Sequence, residues 1–301
     1  MSRGAAPQAP SAAQAATAGI ALIPPLLALA WGLNWPAVRV MLGTLPPFTL
    51  RWLGLGLGAA LLLGFAALRG ARLLPTRPAL PFVIGGGLLA VAGFNVCTAF
   101  AQLATSTSRA AVLTFTFPLM SAVLAWALLG ERPSRRGLAA LALGGLGIAV
   151  LALPALQRPA GLVWPLAAAL FWAGSTVLAK RWPPEGDRLV LTAWQLGLGA
   201  VVAGIGAAGA GESLPRHWPA PVLAALVFHV VIATALAYVL WYRLLAVLSA
   251  TVSSLTTLAV PVVGVLGAMA LVGERPSGLD LAGFALVLGG AALAVLRLGR
   301  G

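Results

Sequence analysis

Acid is scarce in this chain: six Asp and Glu residues stand against 19 Lys and Arg in 301 residues. Those six, Glu131, Glu185, Asp187, Glu212, Glu274 and Asp280, all fall in loops or at the ends of apolar runs. The sequence therefore offers no mid-run carboxylate, the usual proton site of an ion-coupled carrier. Histidine is rarer still. His217 lies beside Arg216 in a loop, and His229 is alone inside an apolar run. Neither a metal site nor a Ser-His-acid triad can be assembled from such groups, which argues against a membrane-embedded enzyme. An HExxH and a Walker loop are both missing, so ATP-driven pumping within this chain is excluded and no cofactor, metal or nucleotide is expected. The single cysteine, Cys97, excludes an intramolecular disulfide and reads most simply as a small buried apolar side chain.

What fills the sequence is hydrocarbon. Sixty per cent of the residues are hydrophobic, 8% are charged and the mean hydropathy is +1.00, more apolar surface than a water-soluble protein of this size can hide. Ten apolar runs recur near 18–41, 47–67, 80–103, 107–128, 136–154, 161–180, 188–208, 220–243, 250–271 and 279–297. Their lengths match the roughly 20 residues that a helix needs to cross about 30 Å of hydrocarbon. They are apolar throughout and lack the in/out alternation of a lipid-embedded barrel, so the fold class expected is an all-α integral membrane protein. Residues 1–17, rich in Ala, Gln, Pro and Ser, read as a disordered cytoplasmic tail and not as a signal peptide.

In a soluble protein a net charge of +13 would suggest nucleic acid as partner. Here the basic residues sit mostly in the loops between runs, and the partners expected are the lipid bilayer and a small solute, not nucleic acid. With the N-terminus inside, 13 of them face the cytoplasm: Arg3, Arg69, Arg72, Arg77, Arg132, Arg135, Arg136, Lys180, Arg181, Arg188, Arg243, Arg297 and Arg300. The opposite side receives six, Arg39, Arg51, Arg109, Arg158, Arg216 and Arg275. The positive-inside rule then places both termini in the cytoplasm.

The chain repeats itself. Pro118 and the run Gly130-Glu131-Arg132-Pro133-Ser134 return 143 residues later as Pro261 and Gly273-Glu274-Arg275-Pro276-Ser277. At the same offset Leu138, Ala139, Ala142, Leu143 and Gly147 meet Leu281, Ala282, Ala285, Leu286 and Gly290. A weaker echo, at an offset of 141, joins Trp31, Asn34 and Arg39 to Trp172, Ser175 and Lys180. Because each unit has five spans, an odd number, the second must cross the membrane in the opposite sense. An inverted repeat has a pseudo-two-fold axis in the membrane plane, an arrangement found mainly in transporters.

The stretch from Tyr238 to Leu293, with Trp241-Tyr242, Pro261 and Gly273-Glu274-Arg275, resembles the EamA repeat of the drug/metabolite transporter superfamily. The opening Trp31-Gly32-Leu33-Asn34 is similar to that family's first helix; the second copy departs from it at Ala173-Gly174. The resemblance covers nearly the whole chain. It implies ten transmembrane helices as two inverted five-helix repeats, 18–154 and 161–297, in a carrier of the bacterial inner membrane, commonly an exporter of amino acids or related metabolites. Transporters of cationic drugs or nucleotide-linked sugars share the fold. The former would call for a buried acid and the latter for several cavity Arg or Lys.

Polar residues in mid-span face a neighbouring helix or a water-filled cavity. Asn95, Thr98 and Gln102, spaced i, i+3, i+7, share one helix face, and the repeat mates of the first two are Tyr238 and Trp241. They are candidates for a solute cavity; interhelical hydrogen bonding and an interfacial aromatic belt are the alternatives. Trp31, Asn34 and Trp35 form a second candidate face, with Trp172, Ser175 and Thr176 as its counterpart in the second half. Such an aromatic wall offers apolar contact and cation–π attraction. Pro118 and Pro261 predict kinks or local unwinding near the middle of the fourth and ninth spans, hinge candidates for gating. One turn earlier stand Thr114 and Thr257, able to meet the freed carbonyls or solute. His229 could carry a proton or simply pack. Arg39, Arg51 and Arg243 stand at span ends and read as snorkelling side chains, with attraction of a substrate carboxylate as the alternative. Gly54 and Gly58 permit close helix approach, within a monomer in preference to a dimer. The function expected is facilitated, alternating-access movement of a small metabolite.

Overall fold

The computed structural model describes residues 12–153, 159–183, 185–247 and 250–295, with side chains described except at 12–21, 180, 242, 245–258 and 294–295. Among these residues every regular element is helical. The helices are α1 (Ala12–Leu42), α2 (Pro47–Leu68), α3 (Arg77–Ala104), α4 (Thr107–Leu129), α5 (Arg135–Ala152), α6 (Ala160–Arg181), α7 (Arg188–Gly209), α8 (220–247), α9 (Ala250–Val272) and α10 (Gly278–Val295). Helices α2 to α8 each contain a run long and apolar enough to cross a membrane. Over the described residues each apolar run of the sequence falls on one helix. Helix α1 begins at Ala12, inside the stretch assigned to a tail by composition; residues 1–11 lie outside the described residues.

The repeated Gly-Glu-Arg-Pro-Ser motif acts through ordinary terminus chemistry. Gly130 and Gly273 close α4 and α9 in the left-handed conformation, φ 71° and 70°, which glycine adopts without a Cβ penalty. Ser134 then caps α5 by accepting from the Gly137 amide at 3.3 Å. In the second copy Ser277 and Asp280 bond each other at the start of α10.

Glu274 reaches out of its own motif to the start of α4. Its carboxylate accepts from the amides of Thr107 and Ser108 at 2.5 and 2.9 Å and from the Ser108 hydroxyl at 2.6 Å. Glu212 treats the start of α2 alike, accepting from the Thr49 amide at 2.7 Å and its hydroxyl at 2.9 Å. Both carboxylates thus satisfy orphan N–H groups at the positive end of a helix from the other half of the chain. Glu274→Ala leaves those groups unpaired and is expected to cost about 1–3 kcal/mol. Thermal unfolding in detergent measures it, with Glu274→Gln falling between the two; an unchanged midpoint would mean that the α4 cap carries no stability.

Packing between the halves has a simple pattern. Helix α2 lies along α7, α5 along α10, α1 against α9 and α8, and α6 against α4 and α3. Exchanging every helix for the one five places away returns the same set. The α2–α7 seam interlocks Leu55, Ala59 and Leu62 with Leu189, Ala193, Leu196 and Ala200. The α5–α10 seam is closer: a Cβ on Gly147 would stand 2.7 Å from the Val287 amide nitrogen, and one on its repeat mate Gly290 would stand 2.7 Å from that of Gly144.

The two prolines behave differently. Helix α4 consists of two pieces, Thr107–Thr114 and Phe117–Leu129, with Pro118 in the first turn of the second. Proline lacks an N–H and its ring collides with the carbonyl four residues back, here that of Thr114. In α9 the helix continues through Pro261 without interruption. Local unwinding is therefore present at one of the two positions where the sequence predicts it.

Candidate functional site

A cavity of about 210 Å³ lies between the halves, lined among others by Trp31, Asn34, Arg51, Phe94, Asn95, Thr98, Gln102, Phe117, Trp172, His229, Thr234, Tyr238 and Trp241. It draws on α1, α2, α3, α4, α6 and α8, with Leu196 of α7 and Val260 of α9 completing the lining. The structure thus brings Trp31, Asn34, Asn95, Thr98, Trp172, His229, Tyr238 and Trp241 to one place. Thr114, fully buried, and Ser175, half-buried, do not line it. The Thr114 hydroxyl has no hydrogen-bond partner, and the hydroxyl that meets a carbonyl at the α4 break is that of Thr116, donating to Leu113 O at 2.7 Å. Thr257 belongs to α9, but its side chain lies outside the described residues.

Two stretches of π-helix shape the cavity wall: Gly87–Gly93 in α3 and Phe228–Leu236 in α8, which overlap when one copy is shifted by 143 residues. Each wide turn rotates the following residues about the helix axis and loosens carbonyls from the regular ladder. Those carbonyls find side-chain donors. The Thr234 hydroxyl donates to His229 O, five residues back, at 2.8 Å; the Trp31 indole donates to Ala233 O at 3.1 Å; and the Asn95 amide donates to Val91 O at 2.9 Å. The sequence carries no pattern that marks a π-turn, so this feature was not legible in it.

The aromatic rings of the lining form two clusters. Trp31 meets Tyr238 edge-on at 6.3 Å and Trp241 at 5.6 Å, while Trp172 lies 4.9 Å from Phe94 and 5.7 Å from Phe117. Trp31 therefore faces inward, with its polar edge satisfied, and is not a lipid-facing belt residue. His229 is buried in the same lining, its Nδ1 2.7 Å from Asn34 Oδ1. The glycines of the α2 pair make room here: a Cβ on Gly54 would lie 2.6 Å from His229 Nε2, and one on Gly58 would lie 2.7 Å from the Thr234 methyl.

Arg51 departs from its expected role. It does not snorkel to the surface but is 2% exposed, donating from one terminal nitrogen to Thr98 Oγ1 at 3.0 Å. The physical reason is its register. Arg51 shares a face of α2 with Gly54, Leu55 and Gly58, the stripe that packs inward. That spacing was the available signal. Arg39 stays exposed while donating to the Gln102 carbonyl. Among the described residues no group of three His, Cys, Asp or Glu could hold a metal ion.

The EamA-like transporter family model matches residues 17–153 and again 159–296. The chain belongs to the EamA-like transporter family. As an EamA-like protein it is a multi-pass membrane protein whose partners are a small-molecule solute and the lipid bilayer. It is similar to the transporter YvbV of Bacillus subtilis, 25% identical over 271 residues that cover 89% of this chain and 88% of that one. Protein PecM of Dickeya dadantii is 30% identical over 68% of this chain and 70% of its own. A protein of Salmonella typhimurium named "Probable amino-acid metabolite efflux pump" is 26% identical over 88% of this chain and 91% of its own. A crystal structure superposes with a TM-score of 0.63, covering 94% of this EamA-like chain and 99% of its own, at 23% identity, a likeness of fold.

Proposed function

We propose that this EamA-like protein exports amino acids or similar small metabolites across the bacterial inner membrane by alternating access, as a monomer with both termini in the cytoplasm. The observation that carries the reading is the cavity, enclosed by helices of both halves and lined by mixed aromatic and polar groups. At about 210 Å³ it lies below the roughly 300–1,000 Å³ typical of sites for drug-sized ligands, which favours a small metabolite over bulky drugs. Among the described residues no carboxylate lines it, and that supports facilitated movement down a solute gradient over proton-driven antiport. The helix exchange pattern supports an inverted repeat, and the break in α4 at Pro118 supports a hinge there, with Pro261 as its counterpart. Gly54 and Gly58 face side chains of their own chain, in keeping with a monomer. The relative named as an amino-acid metabolite pump points to the same solute class.

Counterflow in proteoliposomes against amino acids, sugars and organic cations tests the reading. Amino acids or close relatives are expected to exchange above protein-free vesicles without an imposed pH gradient. Exchange of none of the panel ends the transporter reading of the cavity, and a strict need for a pH gradient, lost in His229→Ala, replaces facilitation with proton coupling.

A further inference from the structure

We propose that Arg51 is the carboxylate anchor of the cavity, so that the solute is a small carboxylate held by its acid group beside Thr98 and by its other end near Trp31, Tyr238 and Trp241. The inference rests on the transport reading of this cavity and names the chemistry that the cavity selects. A buried guanidinium is stable only with a counter-charge or a full set of acceptors. Among the described residues Arg51 has one acceptor, Thr98 Oγ1, and its Nε is buried with no partner. All six acids of the chain are placed elsewhere. Asp187 pairs with Arg69 and Asp280 with Arg109, while Glu212 and Glu274 cap α2 and α4. Glu131 and Glu185 are exposed outside the helices. Among the described residues the cavity holds the cation and no anion. A guanidinium offers five donors in a planar fork that fits a carboxylate through two parallel hydrogen bonds.

The surroundings sharpen the fit. Gln102, which also lines the cavity, is 1% exposed and its Oε1 has no partner, an acceptor left for a donor such as the solute's ammonium. The same cavity is lined by the rings of Trp31, Tyr238 and Trp241, and such rings receive an apolar group across their faces. An L-amino acid, with its carboxylate and ammonium on one carbon, can set its acid against Arg51 and turn its side chain to the rings.

Wild-type protein in proteoliposomes should be offered L-amino acids in counterflow, each against its own carboxamide as competitor. For every amino acid that exchanges, the amide is expected to compete at least about tenfold more weakly, the factor that one charge-assisted hydrogen bond supplies. Arg51→Gln should bring that ratio to near unity by weakening the acid far more than the amide, and Arg51→Lys should restore part of it. The wild-type comparison needs no variant to fold, and size exclusion with thermal unfolding checks the variants. Equal competition by amide and acid, or an undiminished ratio in Arg51→Gln, overturns the anchor while leaving transport in place. Should nothing exchange, tryptophan fluorescence of the detergent-solubilised protein reads binding directly. A response to the acids and not to the amides keeps the anchor after the transport reading has failed, and no difference between them removes it.

Discussion

Gly290→Leu is expected to stop the protein from accumulating as a folded monomer. A Cβ at position 290 would lie 2.7 Å from the Gly144 nitrogen, 2.8 Å from the Ala140 oxygen and 3.0 Å from the Gly144 Cα, and backbone cannot step aside as a side-chain tip can. Helices α5 and α10 would have to separate, opening the cluster of Val112, Leu113, Leu151, Val265, Phe284 and Val287 that their approach seals. Overpacking a tight core costs about 1–3 kcal/mol, and the poorer packing along the opened seam adds to it, so about 3 kcal/mol or more is expected. Gly145→Leu is the control, because a Cβ there meets nothing within 4 Å. Detergent-extracted yield, size exclusion and unfolding midpoint give the comparison. If both variants behave like the parent, the α5–α10 seam does not require close backbone approach.

Trp31→Ala is expected to abolish most solute exchange while leaving the fold largely intact. The ring contacts both Tyr238 and Trp241, and its indole nitrogen holds the Ala233 carbonyl within the π-turn of α8. Aromatic pairs contribute about 0.5–1.5 kcal/mol each, and a cation over the ring adds up to about 2 kcal/mol, so a fall of roughly 30- to 100-fold is the expected scale. Trp31→Phe keeps a ring without the donor and should fall between. Trp126, 48% exposed on α4, is the control, since its replacement by Ala removes an outward-facing ring. Exchange in Trp31→Ala equal to that in Trp126→Ala would take Trp31 out of the site.

Much of the fold was legible because membrane insertion is a local problem. Each span must satisfy its own backbone hydrogen bonds and be apolar over its own length, so composition within about 20 residues decides it. The Gly-Glu-Arg-Pro-Ser motif was legible for the same reason in its glycine and serine, which act on the helix ends beside them. The long-range half of the motif was hidden. Glu274 serves the start of α4, more than 160 residues away, and nothing in its neighbours announces that partner.

The site was half legible. Trp31, Asn95 and Tyr238 stood out because polar and aromatic side chains in mid-span are costly toward lipid. Arg51 did not, because its place near a span end suggested snorkelling, and its spacing with Gly54, Leu55 and Gly58, the one signal of an inward face, does not by itself say which face packs against a neighbour. The repeat also suggested more symmetry than the fold has. Pro118 and Pro261 are equivalent in sequence, yet α4 breaks and α9 does not, since a proline removes one hydrogen bond and surrounding packing settles how the helix absorbs the loss.

By itself the sequence determined that this is a helical membrane protein, where its spans lie and that its second half echoes its first. These follow from hydropathy and spacing, properties of neighbouring residues. Only the tertiary structure decided that eight of the candidate residues surround one cavity, that two π-turns shape its wall and that an arginine is buried in it. Each depends on how helices far apart in the chain rotate and press against one another, and the energy of a buried charge is set by those neighbours.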